Sequence, residues 1–283
     1  MPPTWPLRPA GPGRRRPRPD SAWSARPQRR PGRARPPRSA ATPQEAELAH
    51  FDPGQPETLA AALTGVTAVF INVTAVGAVI ADLIAAASAA GVGRTVLLSS
   101  ISVRDDGTQT MSIGAQHKAI EDAVAASAPH WTFLRCGGFA ANTLGWAQQI
   151  RAGDVVRVPY PQAASALIAE QDIAAAAVTV LLEDGHADNT YRLTGPKSLT
   201  QTEQVQAIGA AIGRDLRVEE LPPEAFRQAA TAHMPAAVVE DLLRYYAQYD
   251  DCPAQMFPDL DKLLNRPPTT FADWAKERAA GFS

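Results

Sequence analysis

Residues 68–73 read AVFINV, residues 94–100 read RTVLLSS and residues 131–135 read WTFLR. Each is a short apolar run without polar alternation, the pattern of a strand covered on both faces. Between them lie longer Ala-rich stretches that suit helices. Residues 76–90 stop at Gly91 and Gly93, and residues 114–127 carry Ile120 and Val124 on one face. Strands alternating with helices in this way lead to a parallel sheet with helices on both faces, a doubly wound α/β fold. The same reading gives a weak strand at 48–51, a helix at 56–64, a helix at 141–151, a strand at 155–158, a helix at 171–182 and a strand at 191–194. After Gly195 the pattern is mostly helical. A capping box of Thr200 and Glu203 opens a helix that stops at Gly213, a strand-like 216–218 follows, and helices are expected at 223–231 and 235–249.

The 283 residues carry 27 Lys and Arg against 29 Asp and Glu, a formal charge of −2. That near-neutrality is the cancellation of two unlike segments. Residues 1–44 hold eleven arginines, one acid (Asp20) and 12 of the 25 prolines, a local charge of +10. They have too little apolar area to offset the entropy of folding, so a disordered tail is expected there. The remainder carries 16 bases against 28 acids, and an acidic body argues against specific nucleic-acid binding. Two cysteines, Cys136 and Cys252, exclude a disulfide framework and a four-cysteine zinc site. No uninterrupted apolar run reaches the roughly 18 residues of a membrane helix. A cytoplasmic protein without a membrane partner or a metal site is expected.

In doubly wound sheets the ligand lies outside the carboxyl ends of the strands. The residues at those tips are therefore the candidates: Asp52; Asn72, Val73 and Thr74; Ser99 and Ser100; and Cys136, Gly137 and Gly138. An acid or amide there can hydrogen-bond an adenine edge, and small residues let a cofactor approach the backbone. Simple strand termination by small and polar residues accounts equally well for any one of them. Cys136 reads as a buried small hydrophobe rather than a nucleophile. Tyr245, Tyr246 and Tyr249 stand at helical spacing and read as packing more than as pocket walls, while His50, His130, His186 and His233 lack metal-ligand spacing.

Residues 117–142, HKAIEDAVAASAPHWTFLRCGGFAAN, resemble the signature of NmrA-like proteins, a branch of the atypical short-chain dehydrogenase/reductase superfamily. Residues 191–226, beginning YRLTGPKSLTQTEQ, and residues 270–282, TFADWAKERAAGF, are similar to two further segments of that family. The resemblance spans roughly residues 45–283. It implies a Rossmann-type domain that binds NADP or NAD and reduces a quinone, an azo compound or a similar small acceptor. Its alternative implication is a non-catalytic dinucleotide-sensing regulator with a protein partner. Carried across, Asp52 matches the acid near the adenine, Asn72, Val73 and Thr74 the loop beside the adenosine half, and Ser99, Ser100 and Gly137 the strand ends near the nicotinamide. His117 takes the catalytic place of a Lys or His, and Phe139 and Asn142 would line the substrate pocket. The implied layout is a tail at 1–44, a cofactor domain at 45–195 and a substrate-side region at 196–283.

The sequence departs from that family at its start. No three of the 19 glycines fit GxxGxxG or GxGxxG, and Gly11 and Gly13 have neither a strand before them nor a helix after them. Such glycines let backbone N–H groups at a helix N-terminus reach the pyrophosphate. The family's opening β-α-β unit is missing, so residues 1–44 are expected not to be the natural opening of the domain but the product of a frameshift or a misplaced start. Weak or absent dinucleotide binding follows, with a truncated remnant as the limiting case. The superfamily's Tyr-x-x-x-Lys acid is absent too, because Ile113 and Gly114 stand four residues before His117 and Lys118.

Overall fold

The computed structural model describes residue 49 and residues 55–283. The expected tail, the strand at 48–51 apart from Ala49, His50 and Asp52 lie outside the described residues. In chain order the elements are α1 (Pro56–Ala62), β1 (Ala68–Asn72), α2 (Val73–Val76), α3 (Ile80–Ala89), β2 (Arg94–Ser100), α4 (Ser112–Ser127), β3 (Trp131–Cys136), α5 (Ala147–Ala152), β4 (Val155–Val158), β5 (Ala164–Ser165), α6 (Glu170–Leu182) and β6 (Asn189–Leu193). They continue with β7 (Leu199–Thr200), α7 (Gln201–Ile212), β8 (Arg217–Glu220), α8 (Pro223–Ala230), α9 (Ala236–Gln248), α10 (Asp259–Leu263) and α11 (Phe271–Glu277).

The main sheet is fully parallel, in the order β1-β2-β3-β6. Its central strand shows why the runs are continuously apolar. Val96 packs with Leu134, Ile173, Ala176 and Val180 beneath α6, whereas its neighbour Leu97 packs with Ile71, Ile84, Ile120, Val124 and Phe133 beneath α3 and α4. Successive side chains point to opposite faces and both faces are covered, so the alternation of an exposed sheet is absent. On α6 the buried Ile173, Ala176, Ala177 and Val180 recur at three- and four-residue spacing, and Glu170 and Asp172 place negative charge in its first turn. This is the doubly wound α/β architecture that the strand and helix pattern implies.

Local chemistry moves several boundaries. The run 68–73 ends one residue early, because the Asn72 side-chain oxygen accepts the N–H groups of Thr74 (3.1 Å) and Ala75 (3.3 Å) and so starts α2. The expected helix at 76–90 begins as a 3-10 turn, Gly77–Val79, and becomes α-helical at Ile80. The helix expected at 141–151 is likewise a 3-10 segment, Ala140–Trp146, followed by α5. There the Thr143 hydroxyl donates back to the Ala140 carbonyl at 2.7 Å, in competition with the regular ladder. The strand at 155–158 forms, but it pairs in parallel with β8 in a separate two-stranded sheet. α7 has the expected capping box and stops at Gly213, whose φ of 69° is the left-handed geometry that glycine adopts freely.

A second core lies around Ile150, Val156, Ile208, Trp274 and Phe282, where α5, β4, α7, β8 and α11 meet. It joins residues 140–158 to residues 199–282, on both sides of residue 195. No described helix is long and apolar enough to cross a membrane.

Candidate functional site

The loops that follow β2, β3 and β6 open onto one cleft of about 490 Å³, at the strand ends where doubly wound sheets bind ligands. Ile101 and Ser102 come from the first loop, Gly137 and Gly138 from the second, and Thr194 from the third. α9 adds Tyr245 and Gln248, and Tyr249 follows at its C-cap. Two contacts anchor α9 at the start of α4. The buried Asp241 carboxylate accepts the Ser112 hydroxyl and, at 3.3 Å, the Ile113 N–H, while Arg244 donates to the Thr110 carbonyl. The Tyr245 and Tyr249 rings pack with centroids 4.8 Å apart. Burial raises the Tyr245 pKa, so this hydroxyl keeps its proton through neutral pH.

A chain of alternating charges runs from the sheet to the cleft. Glu121 on α4 and Arg135 at the end of β3 are 2% and 4% exposed. Glu121 Oε1 accepts the Ser99 hydroxyl (2.6 Å) and Arg135 Nε (2.9 Å), and Oε2 accepts Arg135 Nη2 (2.7 Å). The other side of the same guanidinium meets Asp105 in the β2 loop, with Nη1 to Oδ2 at 3.0 Å and Nη2 to Oδ1 at 2.8 Å. Arg192 on β6, in register with Arg135, donates from Nη2 to Asp105 Oδ2 at 3.2 Å. The Arg135 hydrogen bond is the first cause that holds the Asp105 carboxyl below the usual carboxylate range. Burial alone would lower the Arg135 pKa, but its bonds to Glu121 and Asp105 overcome this and the net shift is upward.

The β2 loop is also held by shape. A Cβ on Gly114 would overlap the Ser102 carbonyl oxygen, so α4 approaches the loop more closely than any side chain permits.

Of the residues expected at the site, the structure brings Gly137 to the cleft and holds Ser100 just before it. The Ser100 hydroxyl is turned to the backbone and accepts the Ser102 N–H at 3.2 Å. Ser99 lies on the α4 face, committed to Glu121. The Asn72 side chain is occupied in capping, Val73 is buried in the core and Thr74 is exposed. Phe139 packs against the core under α6, and Asn142 is exposed in the 3-10 segment; neither lines the cleft. His117 is half-buried on α4, with Nδ1 2.9 Å from the Ile113 carbonyl, and it too lies outside the cleft lining. The carbonyl only accepts, so Nδ1 carries the proton. Glu121 is buried and committed to Ser99 and Arg135, and Cys136 sits in the core with its thiol pKa pushed far up by burial. Asp105, Arg192 and the α9 tyrosines are what sequence reasoning passed over or read as packing. Among the described residues no three His, Cys, Asp or Glu converge on a metal position.

A family model described as the NmrA-like family matches residues 33–275. A (4-alkanoyl-5-oxo-2,5-dihydrofuran-3-yl)methyl phosphate reductase of Streptomyces griseus is 38% identical over 200 residues, 70% of this chain and 71% of that protein. An NAD(P)H azoreductase of Xenophilus azovorans is 34% identical over 241 residues, 83% of this chain and 84% of that protein. Among solved structures, the Escherichia coli NADPH-dependent quinone oxidoreductase in complex with NADPH is similar with a TM-score of 0.68 at 24% identity, covering 81% of this chain and 82% of that one. The Citrobacter triphenylmethane reductase in complex with NADP(H) is similar with a TM-score of 0.68 at 22% identity, covering 83% and 84%.

Proposed function

The chain belongs to the NmrA-like family, and from that premise we propose that it is an NAD(P)H-dependent oxidoreductase acting on a quinone, an azo compound or a similar small conjugated acceptor. The observation that carries the reading is the cleft across the ends of β2, β3 and β6, walled by Tyr245 and Tyr249. Two relatives that are 38% and 34% identical over the aligned residues are both reductases, the (4-alkanoyl-5-oxo-2,5-dihydrofuran-3-yl)methyl phosphate reductase and the NAD(P)H azoreductase. When bound, the reduced nicotinamide supplies the hydride. The protein's own part is to hold a flat acceptor against the Gly137 turn and to limit water around it; the Tyr245 hydroxyl in the same cleft donates to the Ala164 carbonyl at 3.4 Å. His117 has no place in this scheme, because it lies outside the residues that line the cleft.

The fit to a dinucleotide is uneven. Gly137 and Thr194 leave room beside the strand ends for a nicotinamide, and residues 45–195 form the cofactor side of the proposal. The sequence holds no GxxGxxG or GxGxxG motif of the kind that receives the pyrophosphate. Binding weaker than that of a protein with such a turn is therefore part of the proposal, as is a cytoplasmic location. A second reading, a dinucleotide-sensing regulator that engages a protein partner, is favoured by one observation: Ile113 and Gly114 stand where the superfamily's acid would be.

Absorbance at 340 nm with NADPH and menadione tests both. Steady oxidation that requires menadione supports the reductase. Binding seen by nicotinamide fluorescence without turnover of menadione or of a carboxylated or sulfonated azo dye replaces it with the regulator, and absence of binding removes both.

A further inference from the structure

The ion chain ends in the acceptor cleft on its positive member. Arg192 is half-exposed there, and among the described residues its guanidinium is hydrogen-bonded only to Asp105, through Nη2. The remaining N–H groups of the fork are free to serve a ligand. The guanidinium is also held in place: its carbon lies 5.3 Å from the Phe257 ring centroid, and Asp105 is fixed in turn by Arg135, which is anchored on buried Glu121. The neighbouring acids are already matched. Asp259 accepts the Arg192 backbone N–H at 3.0 Å and pairs with Lys262 at 2.9 Å, and Asp106 pairs with Arg104. The four charged side chains that line the cleft, Arg104, Asp105, Asp106 and Arg192, sum to zero, and among them the Arg192 fork, held by Asp105 through one nitrogen, offers its remaining N–H groups to a planar oxygen pair.

Resting on the reductase reading, we propose that Arg192 is the specificity-determining residue of the acceptor site and selects conjugated acceptors that bear an anionic oxygen group: a carboxylate, sulfonate or phosphate. Asp105 and Arg135 are positioning residues that act through it. The aromatic pair on α9 takes the ring system, and the fork takes the substituent.

Calorimetric titration of the full chain with redox-inert ligands tests this. The ligands are 2-naphthol as the neutral reference, with 2-naphthoate, naphthalene-2-sulfonate and 2-naphthyl phosphate as three anionic arms that identify the group preferred. At least one anion should bind roughly ten- to hundredfold more tightly than 2-naphthol, the range of a charge-assisted hydrogen bond. Arg192→Met should bring that ratio close to one, and Arg192→Lys should restore part of it, since it keeps the charge but loses the fork. The ratio should also shrink as salt is raised. Should Arg192→Met lose the neutral ligand as well, Arg192→Gln takes its place with the same two outcomes. A wild-type ratio near one, or a ratio that survives the loss of Arg192, overturns the proposal. Because these ligands are not reduced, a failure to oxidise NADPH with any acceptor counts against the reductase reading alone.

Discussion

Replacing Glu121 with glutamine is the sharpest test of how the site is held. Glu121 gives Oε1 to the Ser99 hydroxyl and Arg135 Nε, and Oε2 to Arg135 Nη2. In the E121Q variant one of those oxygens becomes an NH2 that faces a donor, and the negative charge opposite a guanidinium only 4% exposed disappears. Removing one partner of a buried pair costs about 3–5 kcal/mol, because the other charge remains buried without compensation. Arg135 keeps its bonds to the partly exposed Asp105, which places the expected cost near the lower end, about 3 kcal/mol. At about 2–4 °C per kcal/mol for a domain of this size, the melting temperature should fall by about 6–12 °C. Thermal and urea unfolding of E121Q, R135M and the double variant E121L/R135M form the assay. The double variant should be more stable than either single, since a buried ion pair replaced whole by apolar side chains costs little. An E121Q variant within about 1 kcal/mol of wild type, or a double variant no better than its worse parent, would refute the claim that this pair carries a buried charge balance.

Other measurements reach neighbouring parts of the molecule. Gly114→Ala should destabilise by about 1–3 kcal/mol, as overpacking does, and should raise the acceptor KM through the β2 loop; unchanged melting and KM would show that the loop yields freely. In native protein a thiol reagent should titrate Cys252, which is exposed, while Cys136 reacts only after unfolding; two fast thiols would contradict the packing under α6. Asp105 has a depressed folded pKa, so its contribution is full above the unfolded value of about 4 and is lost as pH falls through the lower folded value. Below about pH 4 the wild type should thus lose stability more steeply than Asp105→Asn, and parallel acid limbs would remove Asp105 from the account.

What the sequence made legible was set by short-range pattern. β2 has the bounds its apolar run implies, and α7 has the capping box and glycine stop written in Thr200, Glu203 and Gly213. Boundaries slipped where a polar side chain competed with the backbone, at Asn72 and Thr143. The site was less legible, because its parts meet only through long-range register. Arg192 reaches the cleft beside Arg135 because β6 pairs with β3, and nothing local to the β6 sequence announces that. One signal was available: Glu121 sits between Ile120 and Val124 on the buried face of α4, and an acid there needs a partner. The arginine that closes the next apolar run is that partner.

The outer face of α6 poses the last question. Its inner face is buried against the sheet through Ile173, Ala176, Ala177 and Val180, yet Val178 and Leu182, one turn apart, are 53% and 77% exposed. Phe70 on β1, the outermost strand of the sheet among the described residues, is exposed as well. A surface helix normally carries polar residues on its outer face, and adjacent exposed apolar side chains promote association. The prediction concerns Val178→Lys with Leu182→Lys. If both side chains face water, stability should change by less than about 0.5 kcal/mol, while light scattering at high protein concentration should fall. If a second copy of the chain covers this face, the same double variant buries two charges and should lose stability by several kcal/mol. Melting temperature and scattering, read together, separate the two cases, and a large drop in melting temperature defeats the solvent-exposed reading.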